Sequence, residues 1–113
     1  MRKVMLIMSE NICDILKSAL DKKYRALPGS VSADGQDILD QSLDALIIDL
    51  FLPGTDGLTF LRENFKNLPP VVVVLTRFVS DSILDELKEL NVSAVNLLPF
   101  CIDILTNQLE DLL

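Results

Sequence analysis

Short apolar runs alternate along this chain with stretches in which apolar residues recur every three or four positions. An apolar run bounded by turn-forming residues indicates a buried strand, whereas the longer recurrence indicates one face of a helix. The weakest of the predicted strands is the second, which Pro28 and Gly29 end. The predicted strands are 4–8, 24–27, 45–49, 71–75 and 93–98.

Helices are predicted after each strand. The second of them is the weakest, since its segment is polar and has only Ile38 and Leu39 as apolar anchors. The predicted helices are about 11–21, 35–42, 58–65, 83–90 and 102–112. Five strand–helix alternations predict an α/β protein with a five-stranded parallel sheet and helices on both faces. The length favours a single domain, residues 1–113, and no internal repeat interrupts it.

The chain is organised around the stretch 45–57, ALIIDLFLPGTDG. Its apolar run ends on Asp49, and a turn rich in proline and glycine follows. Open parallel sheets bind their ligands at the carboxyl ends of the strands, where the strand order reverses. Glu10, Thr76 and the Leu98–Pro99 pair follow other strands in the same way. We therefore expect these residues to share one edge of the sheet with Asp49.

Composition narrows the range of functions. The net charge of −7 argues against direct binding to nucleic acid, whose backbone needs a basic surface. The chain has no histidine, which removes histidine-based catalysis and most zinc sites. Cys13 and Cys101 lack metal-binding spacing and are expected to be ordinary buried thiols. With no signal peptide and no membrane-length apolar stretch, we expect a cytoplasmic protein that does not bind a membrane.

Three motifs in register with the alternation resemble the receiver domain of bacterial two-component response regulators: DLFLPGTDG at 49–57, LT at 75–76 and LPF at 98–100. The resemblance covers essentially the whole chain and implies a flavodoxin-like (βα)5 fold. It also implies that a histidine kinase or phosphotransfer protein places a phosphoryl group on Asp49, with Mg²⁺ as cofactor. By the same match, Thr76 would hydrogen-bond the phosphoryl group, and Glu10, Asp49 and the Phe51 backbone carbonyl would bind the metal.

The chain departs from the family pattern at several positions. Ser9 replaces one of two acids, Leu98 replaces a lysine, and Val95 occupies the position of the switching aromatic residue. A metal site that has lost a carboxylate should bind Mg²⁺ weakly. Arg77, which follows Thr76 directly, is predicted to substitute for the lysine as the local cation.

The predicted role of Arg77 requires a specific contact. We expect the Arg77 guanidinium within about 4 Å of the Asp49 or Glu10 carboxylate, the limit for a salt bridge. Phe51 and Phe78 are expected to support it through their ring faces. The alternative is that Arg77 points into water.

The departures leave more than one function open. The chain is a receiver of reduced competence, or a module that uses the same fold for phosphorylation-independent protein contacts. A flavin-binding redox protein is a remote alternative, because the loop after the first strand is acidic and has no glycine. Neither of the first two functions would make the chain an enzyme.

Further expectations concern partners and local structure. The resemblance implies an effector domain beyond residue 113, and the alternative is a free-standing module that docks on a kinase or partner. Self-association, if present, would use the helix at 83–90, strand 93–98 and the last helix. Asp85, Lys88 and Glu89 would lie on that face. The Leu98–Pro99 peptide bond is predicted to be cis, and Asn96 is predicted to be exposed on an edge strand.

Overall fold

A computed structural model describes residues 2–29, 42–51 and 56–113. Five parallel strands form one sheet in the order β2-β1-β3-β4-β5. The strands are β1 Lys3–Ile7, β2 Arg25–Pro28, β3 Ala45–Asp49, β4 Val71–Thr76 and β5 Ala94–Leu97. The helices are α1 Glu10–Leu20, α2 Gly57–Glu63, α3 Asp81–Glu89 and α4 Ile102–Leu112, with a 3₁₀ turn at Phe65–Asn67. This is the predicted flavodoxin-like α/β architecture.

Two apolar clusters, one on each face of the sheet, form the core. On one face, Leu16 of α1 and Leu105 of α4 pack against the sheet. On the other face, Leu61 of α2 and Leu87 of α3 do so. Every residue of β3 and β4 is buried, because both faces of these strands are covered. The helices therefore lie on both faces, as the alternation predicted.

Most predicted bounds agree with the structure to within a residue or two, but several predictions about single residues were wrong. The helix predicted at 58–65 includes Phe65, yet α2 ends at Glu63 and Phe65 is exposed in the 3₁₀ turn, whereas Phe60 is buried. Asn96 was expected to be exposed; it is on an edge strand but half-buried, and its Nδ2 donates to Gln108 Oε1 at 2.9 Å. The helix predicted at about 35–42 lies outside the described residues, apart from Ser42.

The cysteines differ from each other. Cys13 is buried on α1, and burial raises the pKa of its thiol. Cys101 was also expected to be buried, but it is exposed at the N-cap of α4. That position is the end of a helix that faces solvent, where packing does not require an apolar side chain.

The connection from β1 to α1 is short. Only Met8 and Ser9 lie between the last residue of β1 and the first residue of α1. A loop that wraps a flavin phosphate needs several exposed backbone amides, and two residues do not provide it. The connection thus counts against the remote flavin alternative.

No helix in the described segments is long and apolar enough to cross a lipid bilayer.

Candidate functional site

The strand register brings Asp49 and Thr76 to the same edge of the sheet. Asp49 pairs with Leu75 on β4, so Thr76 lies one residue further along the neighbouring strand. The strand order reverses between β1 and β3, which places this edge at the topological switch point. Asp49 is 4% exposed and Thr76 is fully buried, although both side chains are polar. Burial of polar side chains at a switch point is typical of a functional site, since each needs partners there.

The turn after β3 holds the Asp49 carboxylate in place. Asp49 Oδ1 accepts a hydrogen bond of 3.0 Å from the backbone amide of Phe51. Two further backbone bonds fix the turn, from the Leu50 amide to the Leu75 carbonyl and from the Gly57 amide to the Leu50 carbonyl. The carboxylate is therefore oriented by its own turn and not by a basic side chain.

Gly57 permits the close approach of α2 to this turn. A Cβ atom at position 57 would lie 2.8 Å from the Leu50 Cα and 3.0 Å from the Asp49 carbonyl oxygen. Both are backbone atoms that cannot move aside cheaply. The glycine at the end of the 49–57 motif is thus required by its packing against the backbone of Asp49 and Leu50.

Asp56, the acid beside Gly57, serves the helix and not the site. Its side chain caps α2 by accepting from the amides of Leu58 and Thr59. The Thr59 hydroxyl also donates to it at 2.8 Å. That hydroxyl bond is the largest cause that lowers the pKa of Asp56, and the amide bonds add to it.

The hydroxyl of Thr76 is bonded to the following loop. Thr76 Oγ1 donates to the Phe78 carbonyl oxygen at 2.8 Å. The Phe78 ring in turn stacks on the Phe51 ring, with centroids 4.7 Å apart and planes inclined by 21°. Phe51 is 40% exposed and Phe78 is 56% exposed, so the stacked rings lie at the surface, whereas Asp49 and Thr76 are buried.

The β1 side of the site is more open. Glu10 is the first residue of α1 and is exposed, and Ser9 occupies the N-cap position without a side-chain capping bond. Within the described segments, no three acidic, cysteine or histidine side chains group into a potential metal site. Two carboxylates and a carbonyl are nevertheless within the oxygen donor sets that Mg²⁺ takes, because this ion keeps several waters. Glu10, Asp49 and the Phe51 carbonyl thus fit the ion in chemistry, with low total charge.

The β5 side is apolar. Leu98 is half-buried, packs on the α1 side of the sheet and precedes Pro99 through a cis peptide bond, as predicted. Val95 is half-buried on the opposite face. These side chains leave no cation from β5 at the site.

The expected contact of Arg77 with the acids is absent. Arg77 is exposed, and no salt bridge joins it to Asp49 or Glu10, all three being described residues. It borders an open hollow with Ile12, Leu98 and Pro99. The prediction placed the guanidinium over Phe51 and Phe78, whereas the two rings stack on each other. An exposed guanidinium keeps its hydration, which competes with an ion pair at the surface.

Known structures resemble the chain over nearly its whole length. The receiver domain of a DNA-binding response regulator from Colwellia psychrerythraea matches with a TM-score of 0.84 at 17% identity, covering 99% of this chain and 98% of that chain. A response regulator from Thermotoga maritima matches with a TM-score of 0.81 at 21% identity, covering 98% and 96%. A chemotaxis response regulator of Vibrio cholerae matches with a TM-score of 0.79 at 21% identity, covering 100% and 99%.

No protein-family model matches the sequence. At these identities the structural likeness establishes the fold: the chain has the fold of a response-regulator receiver domain.

Proposed function

We propose that this chain is a signal receiver in which Asp49 accepts a phosphoryl group from a histidine kinase or phosphotransfer protein. One observation supports this most: a carboxylate and a hydroxyl, from adjacent strands, are both buried at the switch point of a receiver fold. A carboxylate there can act as nucleophile, and the hydroxyl can donate a hydrogen bond to the transferred group.

The transfer itself needs little from the chain beyond position and charge. An oxygen of the Asp49 carboxylate attacks phosphorus, a P–O bond forms and the P–N bond to the donor histidine breaks. The electron pair returns to the imidazole nitrogen, which takes up a proton. Glu10, Asp49 and the Phe51 carbonyl would hold Mg²⁺, which supplies positive charge to the transferring group. The chain is then a stoichiometric acceptor and not an enzyme.

The competence of this acceptor is reduced. The Ser9 side chain offers no carboxylate, and Glu10 is exposed, so the charge that would attract Mg²⁺ is low. Leu98 cannot form an ion pair with a phosphoryl group, and the exposed Arg77 borders a hollow with Ile12 and forms no ion pair with Asp49. A site with fewer charges stabilises the transferred group less.

A second candidate function is a phosphorylation-independent protein-interaction module. The apolar Leu98 and the exposed Arg77 favour it, because both depart from what an anionic ligand at Asp49 requires. In that case the fold presents surfaces to a partner protein while Asp49 stays unmodified.

Partners follow from the same proposal. A cytoplasmic sensor kinase would donate the phosphoryl group, and an effector domain beyond residue 113 would respond. One structural neighbour is the receiver of a DNA-binding response regulator and another is a chemotaxis regulator, so the neighbours do not favour one output. A homodimer would use α3, β5 and α4, where Asp85, Lys88 and Glu89 are exposed.

The test is covalent labelling with a small phosphodonor in millimolar Mg²⁺, followed by intact-mass measurement under acid conditions that preserve acyl phosphates. We expect partial incorporation of one phosphoryl group, lost in Asp49→Asn. Asp56→Asn is the matched control, since it removes a neighbouring carboxylate but keeps an oxygen to cap α2. If the wild type takes up no phosphoryl group and does not bind beryllofluoride, the interaction module becomes the better function.

A further inference from the structure

The two buried polar side chains of the site are each bonded to the backbone of one phenylalanine. Asp49 accepts from the Phe51 amide at 3.0 Å, and Thr76 donates to the Phe78 carbonyl at 2.8 Å. The two phenylalanine rings stack on each other at 4.7 Å. The aromatic pair thus joins the turn that orients the acceptor to the loop that holds the hydroxyl.

Rings as exposed as these have no need of each other for burial in the core. Phe51 and Phe78 belong to neither apolar cluster, and both keep a large part of their surface in water. An offset stack is favourable beyond the area that it buries. The stack therefore stabilises a particular arrangement of the two segments and contributes little to the core.

The hydroxyl of Thr76 has a single hydrogen to donate. While it donates to the Phe78 carbonyl, it cannot donate to an oxygen of a group on Asp49. Any arrangement in which Thr76 bonds a phosphoryl group must therefore break the bond to Phe78. Whatever holds the Phe78 segment in place opposes that rearrangement.

We propose that Phe51 and Phe78 are positioning residues that act as a clasp, holding the Asp49 carboxylate and the Thr76 hydroxyl in their unphosphorylated arrangement. The inference rests on the proposed function, in which a phosphoryl group on Asp49 recruits Thr76. By linking the two segments, the clasp shifts the equilibrium toward the unmodified arrangement. A ligand that requires the other arrangement must use part of its binding free energy to separate the rings, so its affinity is lower. The chain then has a second source of low competence besides its missing charges.

The first experiment measures beryllofluoride affinity in Mg²⁺ for Phe51→Ala, Phe78→Ala and the double variant. Because the stack stabilises only the unmodified arrangement, each single variant should bind about 2- to 12-fold more tightly, the range expected for one aromatic pair. The double variant should bind no more tightly than the better single variant, since one substitution already opens the clasp. Phe78→Tyr, which retains the ring, should restore the wild-type affinity.

Phe65→Ala is the matched control. Phe65 is 42% exposed, as the clasp residues are, but it lies in the 3₁₀ turn that precedes β4, away from the site. Its substitution should leave the affinity unchanged. Unchanged or weaker binding in Phe51→Ala and Phe78→Ala, or equal tightening in Phe65→Ala, would overturn the clasp.

The second experiment does not depend on phosphoryl chemistry. The Phe51 amide donates to Asp49, so its hydrogen-exchange rate reports whether the turn stays closed. Phe78→Ala should accelerate exchange at residue 51 by a similar factor, and Phe65→Ala should not. If no variant binds beryllofluoride but exchange accelerates as expected, the proposed function fails while the clasp stands; if exchange is unchanged, the clasp fails regardless of binding.

Discussion

The site has two unlike halves. The half built from β3 and β4 contains Asp49 and Thr76, both buried and both bonded to backbone within two residues of themselves. The half that borders β1 and β5 contains an exposed Glu10, an uncharged Ser9 and an apolar Leu98. One half is well defined and the other is depleted of charge.

The difference lies in how each half is supported. β3 and β4 are central strands whose every residue is buried, so their ends are fixed by the core. β5 is an edge strand, and Glu10 begins a helix at the surface, where side chains are set by solvent more than by packing. Asp49 is thus held by the packing of a central strand, whereas Glu10 lies at the surface and Leu98 follows an edge strand.

The largest effect should come from Gly57→Ala, which disrupts the packing of α2 against the turn that follows β3. The new Cβ would meet the Leu50 backbone at 2.8 Å, and we expect unfolding by urea to show a loss of up to about 3 kcal/mol. Gly29→Ala is the control, because the Cβ there would meet the Sδ of Met5, the end of a flexible side chain. A loss for Gly57→Ala no larger than for Gly29→Ala would show that the turn adjusts freely.

Thr76→Val keeps the side-chain volume at position 76 but removes the hydroxyl. If the hydroxyl donates to a charged phosphoryl mimic, beryllofluoride binding should weaken by about 2 kcal/mol, or on the order of 30-fold. Thr106→Val is a matched control, since the Thr106 hydroxyl also donates to a backbone carbonyl, that of Asp103 on α4. Equal affinity in the wild type and Thr76→Val would remove Thr76 from the site.

Ser9→Asp should add negative charge to the half of the site that borders β1 and β5. Restoring a carboxylate beside Glu10 should tighten Mg²⁺ binding, measured by calorimetry, on the order of tenfold. Ser18→Asp adds the same charge two turns further along α1, at another exposed position, and should have little effect because salt screens distant charges. Micromolar binding by the wild type would contradict the premise that this half is weak.

Asp56→Ala should have the smallest effect, about 1 kcal/mol of stability, because the exposed cap of α2 loses its acceptor. The effect should depend on pH. The Thr59 hydroxyl and the amides hold the pKa of Asp56 below its ordinary value of 3.8, so the added stability is present above that value and is lost as the pH falls through the lower, folded one. Stability curves of the wild type and Asp56→Asn should converge only at acid pH; a constant difference would exclude this cause.

The periodicity of the sequence was sufficient to predict the architecture. Continuous apolar runs at 45–49 and 71–75 predicted strands covered on both faces, and the structure has β3 and β4 there with every residue buried. The position of Asp49 at a strand end followed from the same run. These features depend on local pattern alone, since a residue at the end of a central strand has only one edge of the sheet to occupy.

Contacts between loop segments could not be predicted from the sequence. Which partner Phe51, Phe78 and Arg77 would choose could not be decided from spacing, because all three lie in loops within reach of one another. The prediction that the rings would support Arg77 was chemically reasonable, yet the two rings stack on each other and Arg77 is exposed. The close approach of Gly57 to Leu50 was also invisible in the sequence, although a glycine after an acidic cap is a weak signal of it.

The sequence by itself therefore determined the α/β order of strands and helices and the acidic residue at the end of the third strand. Only the tertiary structure decided how that residue is held: the Phe51–Asp49 and Thr76–Phe78 bonds each lie within one turn, and the stacked rings join these two turns, which follow different strands. The physical reason is that hydrophobic periodicity fixes which residues face the core, whereas hydrogen bonds and ring contacts at loops depend on atomic distances that arise only when the strands are in register.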